Sequence, residues 1–585
     1  MSEAVQVSTR RLVDVLFQRA QRTPDRRAYL FLDEQGRESA SLTYSQLWTR
    51  VSAVAAELCA RTAPGDRALI VLPTSPDFPI AFFGCLLAGV TAVPVSLADP
   101  GRAATALKRL TLIAADAGAR LVLTDGSMQW AVAALEAAAE GAATDLRFVD
   151  VSGLPDVDGG APAASRAGSD VAFLQYTSGS TGSPRGVVIA HGSLWANLST
   201  IQRYGGTHEG TVNLFWLPLF HDMGLAAGVL SPIFAGALGI LMSPQAFLRK
   251  PALWLQALTK YRVNISGGPN FAYETCLRRI RPEDRAGLDL SAWDLGVVGA
   301  EPVRASTLTR FAAAFAEHGL RPGTLAPCYG LAESTVFVTG EIVGRGARVV
   351  RLDARALEQG RVEDAPEEQV DGVRAFVGHG APARYGEVAI VAPSSLEVVP
   401  EGSLGEIWLK NGSVASGYWG KPEDSRATFG ASPARGPRGP FLRTGDLGFL
   451  RDGELFVTGR LKDLIIVNGA NIYPQDVEAT AESAHACLSP GGFAAFALQR
   501  DDREGLVVVG EVELRARGDQ AALSQAIEHI QQAVLSEHGA SPFDVVLIEP
   551  GSLPRTTSGK VQRGRCRLLY TEGQLRTLAR SRHAA

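Results

Sequence analysis

The sequence predicts an α/β protein with parallel sheets, followed by a β-rich region and a smaller α+β domain. Three observations predict this order. Short apolar strands alternate with helices over roughly the first 330 residues. From Glu333 onward, strand-like pieces separated by Gly and Pro replace that alternation, and after Arg460 strands and helices mix again. Strands that are apolar throughout and separated by helices are typical of parallel sheets covered on both faces.

The first part of the chain supplies the strand–helix alternation. Thr43 is a candidate N-cap for a helix in which Leu47, Val51, Val54 and Leu58 recur at helical spacing. The predicted strands are 27–40 (a pair around 33–36), 68–72, 91–95, 120–123, 187–190, 212–217, 264–266 and 295–298. The predicted helices are 8–21, 78–87, 104–117, 131–139, one from 193, 251–260, 272–279 and 305–318.

The rest of the sequence predicts two further structural units. Strand-like pieces at 386–391 and 405–409 predict a barrel-like β subdomain, in which the polar stretch 354–371 is either a loop insertion or a short helix. A helix that Asp519 can cap, at 519–535, alternates with strands to give an α+β tail of domain size. The strands of the tail are 464–467, 506–509 and 545–548. We therefore divide the chain into domains 1–460 and 461–585.

Composition restricts the class of protein. A net charge of -4 provides no basic field for a nucleic acid partner. The six cysteines are scattered, which predicts reduced thiols and a cytoplasmic protein, and the N-terminus lacks the apolar core of a signal peptide. The apolar stretch 224–242 contains Ser231-Pro232 and several glycines. It predicts a buried helix, a turn and a buried strand better than a stable membrane span.

A Gly-, Ser- and Thr-rich loop stands at 176–186, with the sequence YTSGSTGSPRG. Glycines leave room for close approach of a ligand, and successive backbone N–H groups can converge on an anion. Arg185 adds a positive charge that suits phosphate oxygens. The loop does not match the P-loop pattern. By itself it is equally well explained as a phosphate cradle or as a surface linker.

Seven other stretches carry candidate chemistry. They are 218–224 (PLFHDMG), 267–273 (GGPNFAY), 299–302 (GAEP), 329–335 (YGLAEST), 443–448 (RTGDLG), 459–463 (GRLKD) and 554–561 (PRTTSGKV). Each has a structural explanation when taken alone. A single His221 is more often a core or capping residue, Glu333 could cap a helix, and Lys560 could be an ordinary solvated charge.

Together and in this order, these stretches resemble the adenylate-forming acyl-activating enzymes, the superfamily of acyl-CoA synthetases, peptide-synthetase adenylation domains and luciferases. The resemblance covers almost the whole chain. The fatty acyl-AMP ligase branch is most similar, through 215–225 (FWLPLFHDMGL), 265–273 (ISGGPNFAY), 463–467 (DLIIV) and 471–478 (NIYPQDVE). That branch is known for an insertion after the position of Glu333, which we assign to 348–371.

The resemblance implies a two-step reaction that uses ATP and Mg²⁺. A fatty carboxylate attacks the α-phosphate to give acyl-AMP and pyrophosphate, and a thiol then takes the acyl group. In this branch the thiol belongs to the phosphopantetheine arm of an acyl carrier protein. We expect a separate carrier, because the chain ends about 25 residues past Lys560. The alternatives are a long-chain acyl-CoA synthetase and, in another class, a catalytically silent acyl- or nucleotide-binding homologue.

The resemblance also implies roles for residues. Lys560 would bridge the carboxylate and the α-phosphate, His221 would lie near that phosphate, and Glu333 with Thr177 would hold Mg²⁺. The implied nucleotide-binding residues are Thr177, Ser178, Gly179, Ser180, Thr181, Gly182, Arg185, Gly299, Ala300, Glu301, Pro302, Tyr329, Gly330, Leu331, Ala332, Asp446, Arg460 and Lys462. The implied acyl-binding residues are His221, Asp222, Met223, Gly224, Gly268, Pro269, Asn270, Phe271 and Tyr273.

Two further expectations follow from the resemblance. Arg185 stands where the family typically carries lysine, so the charge is kept while the geometry of its donors changes. The C-terminal domain would swing about the step from Lys462 to Asp463, between a pose for adenylation and a pose for thiol transfer. We expect the insertion to restrain that swing and so to disfavour coenzyme A.

Overall fold

The computed structural model describes residues 11–96, 103–126, 146–157, 171–178, 184–369, 372–382, 386–467, 470–500, 503–556 and 559–581. The predicted helix at 131–139 and the centre of the Gly-rich loop lie outside these residues. The loop residues concerned are Gly179, Ser180, Thr181, Gly182 and Ser183. The side chain of Ser178 is likewise outside the described part.

The largest sheet, here called sheet 1, has a parallel centre and antiparallel edges. The order of its described strands across the sheet is Ala381–Pro382, Phe337–Gly340, Leu325–Gly330, Leu295–Val298, Ile265–Gly268, Val212–Phe215, Leu238–Met242, Arg27–Leu32 and Glu38–Thr43. This arrangement confirms the α/β class predicted from the apolar strands.

A second parallel sheet, sheet 2, ends in an antiparallel hairpin. The order of its described strands is Arg147–Asp150, Leu121–Thr124, Arg67–Ile70, Thr91–Pro94, Val171–Ser178 and Pro184–Ala190. The last two strands form the hairpin whose tip is the Gly-rich loop, and Thr177 pairs with Arg185 in its register. The Gly-rich stretch therefore joins two paired strands, so it does not connect separate domains as a linker would.

Helices cover these two sheets. The described α-helices before residue 330 are Leu12–Arg22, Tyr44–Arg61, Asp77–Ala88, Ala103–Ala117, His191–Gly205, Ser231–Ala235, Pro244–Arg249, Ala252–Tyr261, Asn270–Arg279 and Ala305–Phe315. The hydroxyl of Thr43 accepts a hydrogen bond from the backbone N–H of Gln46 at 3.3 Å, which confirms the predicted cap. The apolar face that includes Leu47 and Val51 is buried in one core with Phe82.

The apolar stretch 224–242 forms a helix, a turn and a buried strand. A π-helix at Gly224–Leu230 continues into Ser231–Ala235, and the strand Leu238–Met242 follows. Gly236 ends the helical part in the left-handed conformation, with φ 78°. In the part of the chain that the structure describes, none of the helices combines the length and the apolar character that a membrane span requires.

The region after Glu333 is rich in antiparallel strands, as its Gly- and Pro-punctuated sequence predicts. Its four-stranded sheet, sheet 3, has the order Glu387–Val391, Gly405–Lys410, Leu442–Arg451 and Glu454–Arg460. The segment assigned as an insertion contains a strand, Val349–Asp353, and a short helix, Ala354–Glu358. That strand pairs with Val373–Val377. The short-helix alternative therefore describes 354–358.

The chain after Arg460 forms its own α+β core. The described strands of its main sheet are Leu488–Arg500, Arg503–Val512, Asp544–Ile548 and Thr577–Arg580, and Ile465–Val467 pairs separately with Ala470–Ile472. The described α-helices from Pro422 onward are Pro422–Phe429, Pro474–Ser483, Gln520–His538 and Arg563–Thr571. Asp519 caps the longest of them through the N–H of Ala522, at 3.0 Å. The domain boundary at 460/461 remains a prediction.

Candidate active site

Four of the predicted motifs lie at the same edge of sheet 1. They follow the strands Val212–Phe215, Ile265–Gly268, Leu295–Val298 and Leu325–Gly330, which are neighbours in the sheet and run parallel. The carboxyl ends of parallel strands meet at one edge, where ligands of open α/β sheets bind. This topology brings together stretches that are far apart in the chain.

The buried carboxylate of Asp446 lies between an aromatic and a cationic donor. The Tyr329 hydroxyl donates to Asp446 Oδ2 at 2.7 Å, and Arg460 Nε donates to Oδ1 at 2.9 Å. The carboxylate raises the pKa of Arg460 above its ordinary value, and burial raises the pKa of Tyr329. Each carboxylate oxygen has two lone pairs, so both can still accept a ligand hydroxyl.

The loop 299–302 packs closely against the adjacent strand Leu325–Gly330. A Cβ on Gly299 would lie 2.6 Å from the sulfur of Cys328, and Ala300 has a positive φ of 66°. That conformation is uncommon for a residue other than glycine. The Glu301 carboxylate accepts the backbone N–H of Phe271 at 2.6 Å, and burial raises its pKa. Pro302 is the last residue of this loop.

The segment 329–333 turns sharply into the site. A Cβ on Gly330 would collide with the carbonyl oxygen of Val336, so the tight approach requires glycine. Leu331 is half-buried and Ala332 is buried in a 3₁₀ turn that also contains Glu333. One carboxylate oxygen of Glu333 accepts the hydroxyl of Tyr418 at 2.9 Å. Tyr418 belongs to none of the motifs that predicted the site.

A magnesium ion fits this donor set. Magnesium prefers one or two carboxylates together with substrate phosphate oxygens, and it keeps several waters. Among the residues that the structure describes, no three His, Cys, Asp or Glu side chains are grouped to hold a metal by themselves. Glu333 is half-buried, and no described contact occupies its Oε2. A single carboxylate oxygen with room for phosphate oxygens suits Mg²⁺ better than a zinc-type site.

Arg185 lies near Glu333, across Tyr418. Its guanidinium carbon is 5.4 Å from the centre of the Tyr418 ring, and its Nη2 is 3.6 Å from Asp424. Thr177, the second predicted metal ligand, is half-buried opposite Arg185 in the hairpin. The structure thus connects the base of the Gly-rich loop to Glu333.

The His221–Asp222 pair lies at the start of the apolar segment, within electrostatic range of Lys560. His221 Nδ1 lies 2.6 Å from Asp222 Oδ1, which also accepts the N–H of Met223 at 2.7 Å. Burial would raise the pKa of Asp222, but His221 and Lys560 together lower it to about 2. Burial lowers the pKa of Lys560, while Asp222, Glu301 and other carboxylates act to raise it.

The C-terminal part thus contributes to the same site. An added Cβ on Gly559, next to Lys560, would lie 3.7 Å from the ring of Phe271. The backbone N–H of Lys560 donates to the hydroxyl of Thr556 at 3.0 Å, which orders the turn. Lys462 lies two residues after Arg460, and partial desolvation of its ammonium lowers its pKa.

The predicted acyl-binding residues fall into two groups. Met223, Gly224, Gly268 and Pro269 line the start of the π-helix and of the helix Asn270–Arg279. Gly224 and Gly268 are required by packing, since a Cβ would collide with the carbonyl of Pro218 or lie 2.9 Å from the Trp216 ring.

The remaining acyl candidates stabilise the same helix. The Asn270 side chain accepts the backbone N–H of Arg304 at 3.0 Å. Tyr273 is completely buried, and its hydroxyl donates to the carbonyl of Val297 at 2.9 Å. Its ring stacks in an aromatic core with Trp293. An acyl-binding role for Tyr273 remains a prediction.

Comparison with known proteins agrees with this arrangement. A model of the AMP-binding enzyme family matches residues 16–419, and a model of the AMP domain of Disco-interacting protein 2-like proteins matches 462–580. The chain belongs to the AMP-binding enzyme family. The first match covers more than half of the chain, including the hairpin, the four motifs of sheet 1 and Tyr418.

Relatives that match nearly the whole length of this AMP-binding enzyme are fatty-acid ligases. It is 42% identical to the medium-chain-fatty-acid–[acyl-carrier-protein] ligase JamA of Moorena producens, over 96% of this chain and 95% of JamA. It is 38% identical to the long-chain-fatty-acid–AMP ligase FadD26 of Mycobacterium marinum, over 96% and 97% of the two chains. These relatives confirm the resemblance to the fatty acyl-AMP ligase branch.

A solved structure confirms the fold. The fatty acyl-adenylate ligase from L. pneumophila, in complex with acyl adenylate and pyrophosphate, superposes with a TM-score of 0.72 at 36% identity. The match covers 99% of each chain.

Proposed function

We propose that this enzyme activates a fatty acid with ATP to acyl-AMP and transfers the acyl group to the phosphopantetheine thiol of an acyl carrier protein. The observation that carries the proposal is the position of Lys560. It lies within electrostatic range of Asp222, Glu301 and Asp446, which are far apart in the sequence of the N-terminal part. A solvated tail lysine would have no such neighbours.

In the first step, a carboxylate oxygen of the fatty acid attacks the α-phosphorus of ATP. The bond from that phosphorus to the bridging oxygen breaks, and pyrophosphate leaves with the electron pair. Two anions must approach each other, so fixed cations have to offset their repulsion. We assign that task to the Lys560 ammonium at the α-phosphate and to the Arg185 guanidinium on the pyrophosphate side.

Other residues orient the nucleotide. Asp446 would accept the two ribose hydroxyls, and its bonds from Tyr329 and Arg460 hold the carboxylate in one orientation. The loops at 299–302 and 329–332 would contact adenine. Mg²⁺ at Glu333 and Thr177 would neutralise charge on the β- and γ-phosphates when bound.

In the second step, the thiol sulfur attacks the acyl carbonyl carbon. The bond from that carbon to the phosphate oxygen breaks, and AMP leaves with the electron pair. Acyl-AMP is a reactive anhydride, so a site that excludes water protects it. The half-buried position of Asp222 and the buried Met223 are consistent with an enclosed acyl entrance.

The insertion provides a physical reason why this enzyme would transfer the acyl group to a carrier protein in preference to coenzyme A. Leu352 and Leu357 of the insertion are buried in one apolar cluster with Tyr473, which follows the hinge. Beside them, Arg374 lies 3.3 Å from Asp476 and over the ring of Tyr473. These contacts connect the region of the insertion to the C-terminal part, and we expect them to restrain its swing.

The test supplies ATP, Mg²⁺ and fatty acids of increasing length, and measures pyrophosphate release. A second assay adds either coenzyme A or a holo acyl carrier protein and measures the acyl thioester. We expect release with fatty acids and transfer to the carrier. Transfer to coenzyme A at an equal rate would favour the acyl-CoA synthetase alternative. Absence of pyrophosphate release would favour the silent binding homologue.

A further inference from the structure

One segment of the site, residues 415–421, contacts both the base of the Gly-rich hairpin and Glu333. In the chain it lies between the second and third strands of sheet 3, but it runs along the free edge of sheet 2. The backbone N–H of Trp419 donates to the carbonyl of Gly186 at 2.8 Å, and the N–H of Val188 donates to the carbonyl of Gly417 at 2.9 Å. The segment therefore extends sheet 2 beyond its edge strand, Pro184–Ala190.

Tyr418 in this segment contacts two predicted site residues at once. Its hydroxyl donates to Glu333 Oε1 at 2.9 Å, while the guanidinium of Arg185 lies over its ring. The backbone N–H of Ala415 also donates to the carbonyl of Glu333, at 2.9 Å. Both the main chain and the carboxylate of Glu333 are thus held by the same segment.

Lys421 anchors the other end of the segment. Its Nζ lies 2.6 Å from Asp116 Oδ1, and the second oxygen of Asp116 accepts the hydroxyl of Tyr176 at 2.7 Å. The same Nζ lies 3.5 Å from the carbonyl oxygen of Pro184. Tyr176 and Pro184 stand on the two strands of the hairpin, so this ion pair holds the hairpin at its base.

The hydroxyl group of Tyr418 is not required for packing alone. A phenylalanine at 418 would fill the same space and keep the cation–π contact with Arg185. The hydroxyl adds a hydrogen bond to an ionised group, which is stronger and more directional than a bond between neutral groups. It occupies one oxygen of Glu333, and no described contact occupies the other.

We propose that residues 415–421 form a positioning strap that couples Glu333 to Arg185 through Tyr418, with the Lys421–Asp116 pair as its anchor. The inference rests on the proposed function, since it concerns the triphosphate side of that site. Holding the carboxylate and the guanidinium in place before binding reduces the ordering cost of binding. The strap therefore acts on MgATP and leaves the acyl chain unaffected.

The main test replaces Tyr418 by phenylalanine, with Tyr261→Phe as the matched control. The Tyr261 hydroxyl also donates to a glutamate, Glu38, at 3.2 Å, but on an exposed surface away from the site. We expect Tyr418→Phe to raise the KM for ATP roughly 10- to 150-fold, as for the loss of a hydrogen bond to a charged group. The KM for the fatty acid should stay within about twofold.

Calorimetric titration supplies a readout that does not depend on turnover. Tyr418→Phe should weaken binding of MgATP by a similar factor and change binding of AMP little, because AMP lacks the β- and γ-phosphates. Glu333→Gln should cancel the effect, so the double variant should bind MgATP no more weakly than Glu333→Gln alone. Lys421→Met should also weaken the binding of MgATP. It provides a second variant if Tyr418→Phe folds poorly.

The outcomes separate the two proposals. If the unmodified enzyme releases no pyrophosphate with any fatty acid, the proposed function fails. If the enzyme is active but Tyr418→Phe and Lys421→Met both match Tyr261→Phe in their binding of MgATP, the strap is wrong. Equal weakening of AMP and MgATP would also overturn it, because that result indicates a general disturbance of the fold.

Discussion

The hydroxyl group of Tyr329 donates a 2.7 Å hydrogen bond to the carboxylate of Asp446, and the bond joins two sheets. Tyr329 lies at the end of a strand of sheet 1, and Asp446 lies in sheet 3. Both residues are buried, with 8% and 5% of their surface exposed. A buried carboxylate needs such donors, because an unpaired charge in the interior is costly.

Replacing Tyr329 by phenylalanine should affect stability and nucleotide binding together. Loss of a hydrogen bond to a buried charge costs about 1.5–3 kcal/mol in the free energy of unfolding. The KM for ATP should rise, since Asp446 loses one of its two orienting donors. Chemical denaturation and pyrophosphate release measure the two effects. Tyr204→Phe is the control, because its hydroxyl bonds to a neutral carbonyl, that of Ala381, at 2.6 Å.

Lys560→Ala should block formation of acyl-AMP and largely spare transfer from acyl-AMP that is supplied to the enzyme. The ammonium offsets charge when two anions meet, a situation that arises in the first half-reaction only. Pyrophosphate release and thioester formation measure the half-reactions separately. Lys260→Ala, on an exposed helix end, is the control. An equal loss of both half-reactions would contradict the assigned role.

Deletion of 348–371 should permit ligation of coenzyme A if the insertion restrains the C-terminal part. The deletion also removes Leu352 and Leu357, which are completely buried, so the variant must first be shown to fold by circular dichroism. A folded deletion protein that still makes no acyl-CoA would rule the idea out. The measurement is thioester formation from ATP, fatty acid and coenzyme A.

Arg374→Met tests the same restraint more gently. Methionine keeps much of the apolar stem of arginine while removing the contacts to Asp476 and to the Tyr473 ring. We expect the ratio of coenzyme A ligation to carrier ligation to rise. Arg361→Met is the control, because Arg361 pairs locally with Glu363 on the surface of the insertion. An unchanged ratio in Arg374→Met would count against a restraint at this contact.

Buried histidines should make the protein sensitive to acid. Burial lowers the pKa of His379 and of His538 to about 4. Both are neutral in either state above the unfolded pKa of about 6.5, so their contribution to stability is complete there. Below that pH the unfolded chain binds protons that the folded chain excludes. The free energy of unfolding should therefore decrease as the pH falls from about 6.5 to about 4, by about 3 kcal/mol for each histidine.

Melting temperatures measured across this range test the prediction. His379→Asn cannot take up a proton, so it should flatten the decline although it costs stability at neutral pH. His208→Asn is the control, because His208 is exposed. If both variants lose stability with the same slope as the unmodified protein, buried His379 does not contribute to the acid transition.

Much of the fold could be predicted from local patterns. The helix after Thr43 follows from its cap and apolar spacing, and the strands of sheets 1 and 2 follow from short apolar runs between helices. The order of the motifs was sufficient to indicate the family. Local patterns predicted boundaries within a few residues, since hydrophobic periodicity marks the centre of an element better than its ends.

The contacts around Glu333 could not be predicted in the same way. Tyr418 and Lys421 follow Ser416-Gly417 in a stretch whose sequence predicts an ordinary turn, and Asp116 lies in the last turn of the helix Ala103–Ala117. No spacing in the sequence relates these residues, because their contact depends on how sheet 3 packs against the edge of sheet 2. Contacts between residues of different sheets leave no periodic pattern in a single sequence.

Local patterns in the chain specify the strand–helix alternation, the glycines that close approach requires, and the presence of a lysine, a glutamate and an aspartate suited to adenylation. Which of these groups meet depends on the packing of the folded chain. That packing brings Lys560 within electrostatic range of Asp222, joins Tyr329 to Asp446, and holds Glu333 and Arg185 on the two sides of Tyr418. Local propensity acts within a few residues, whereas charges and hydrogen bonds act between whichever groups the packing of sheets brings together.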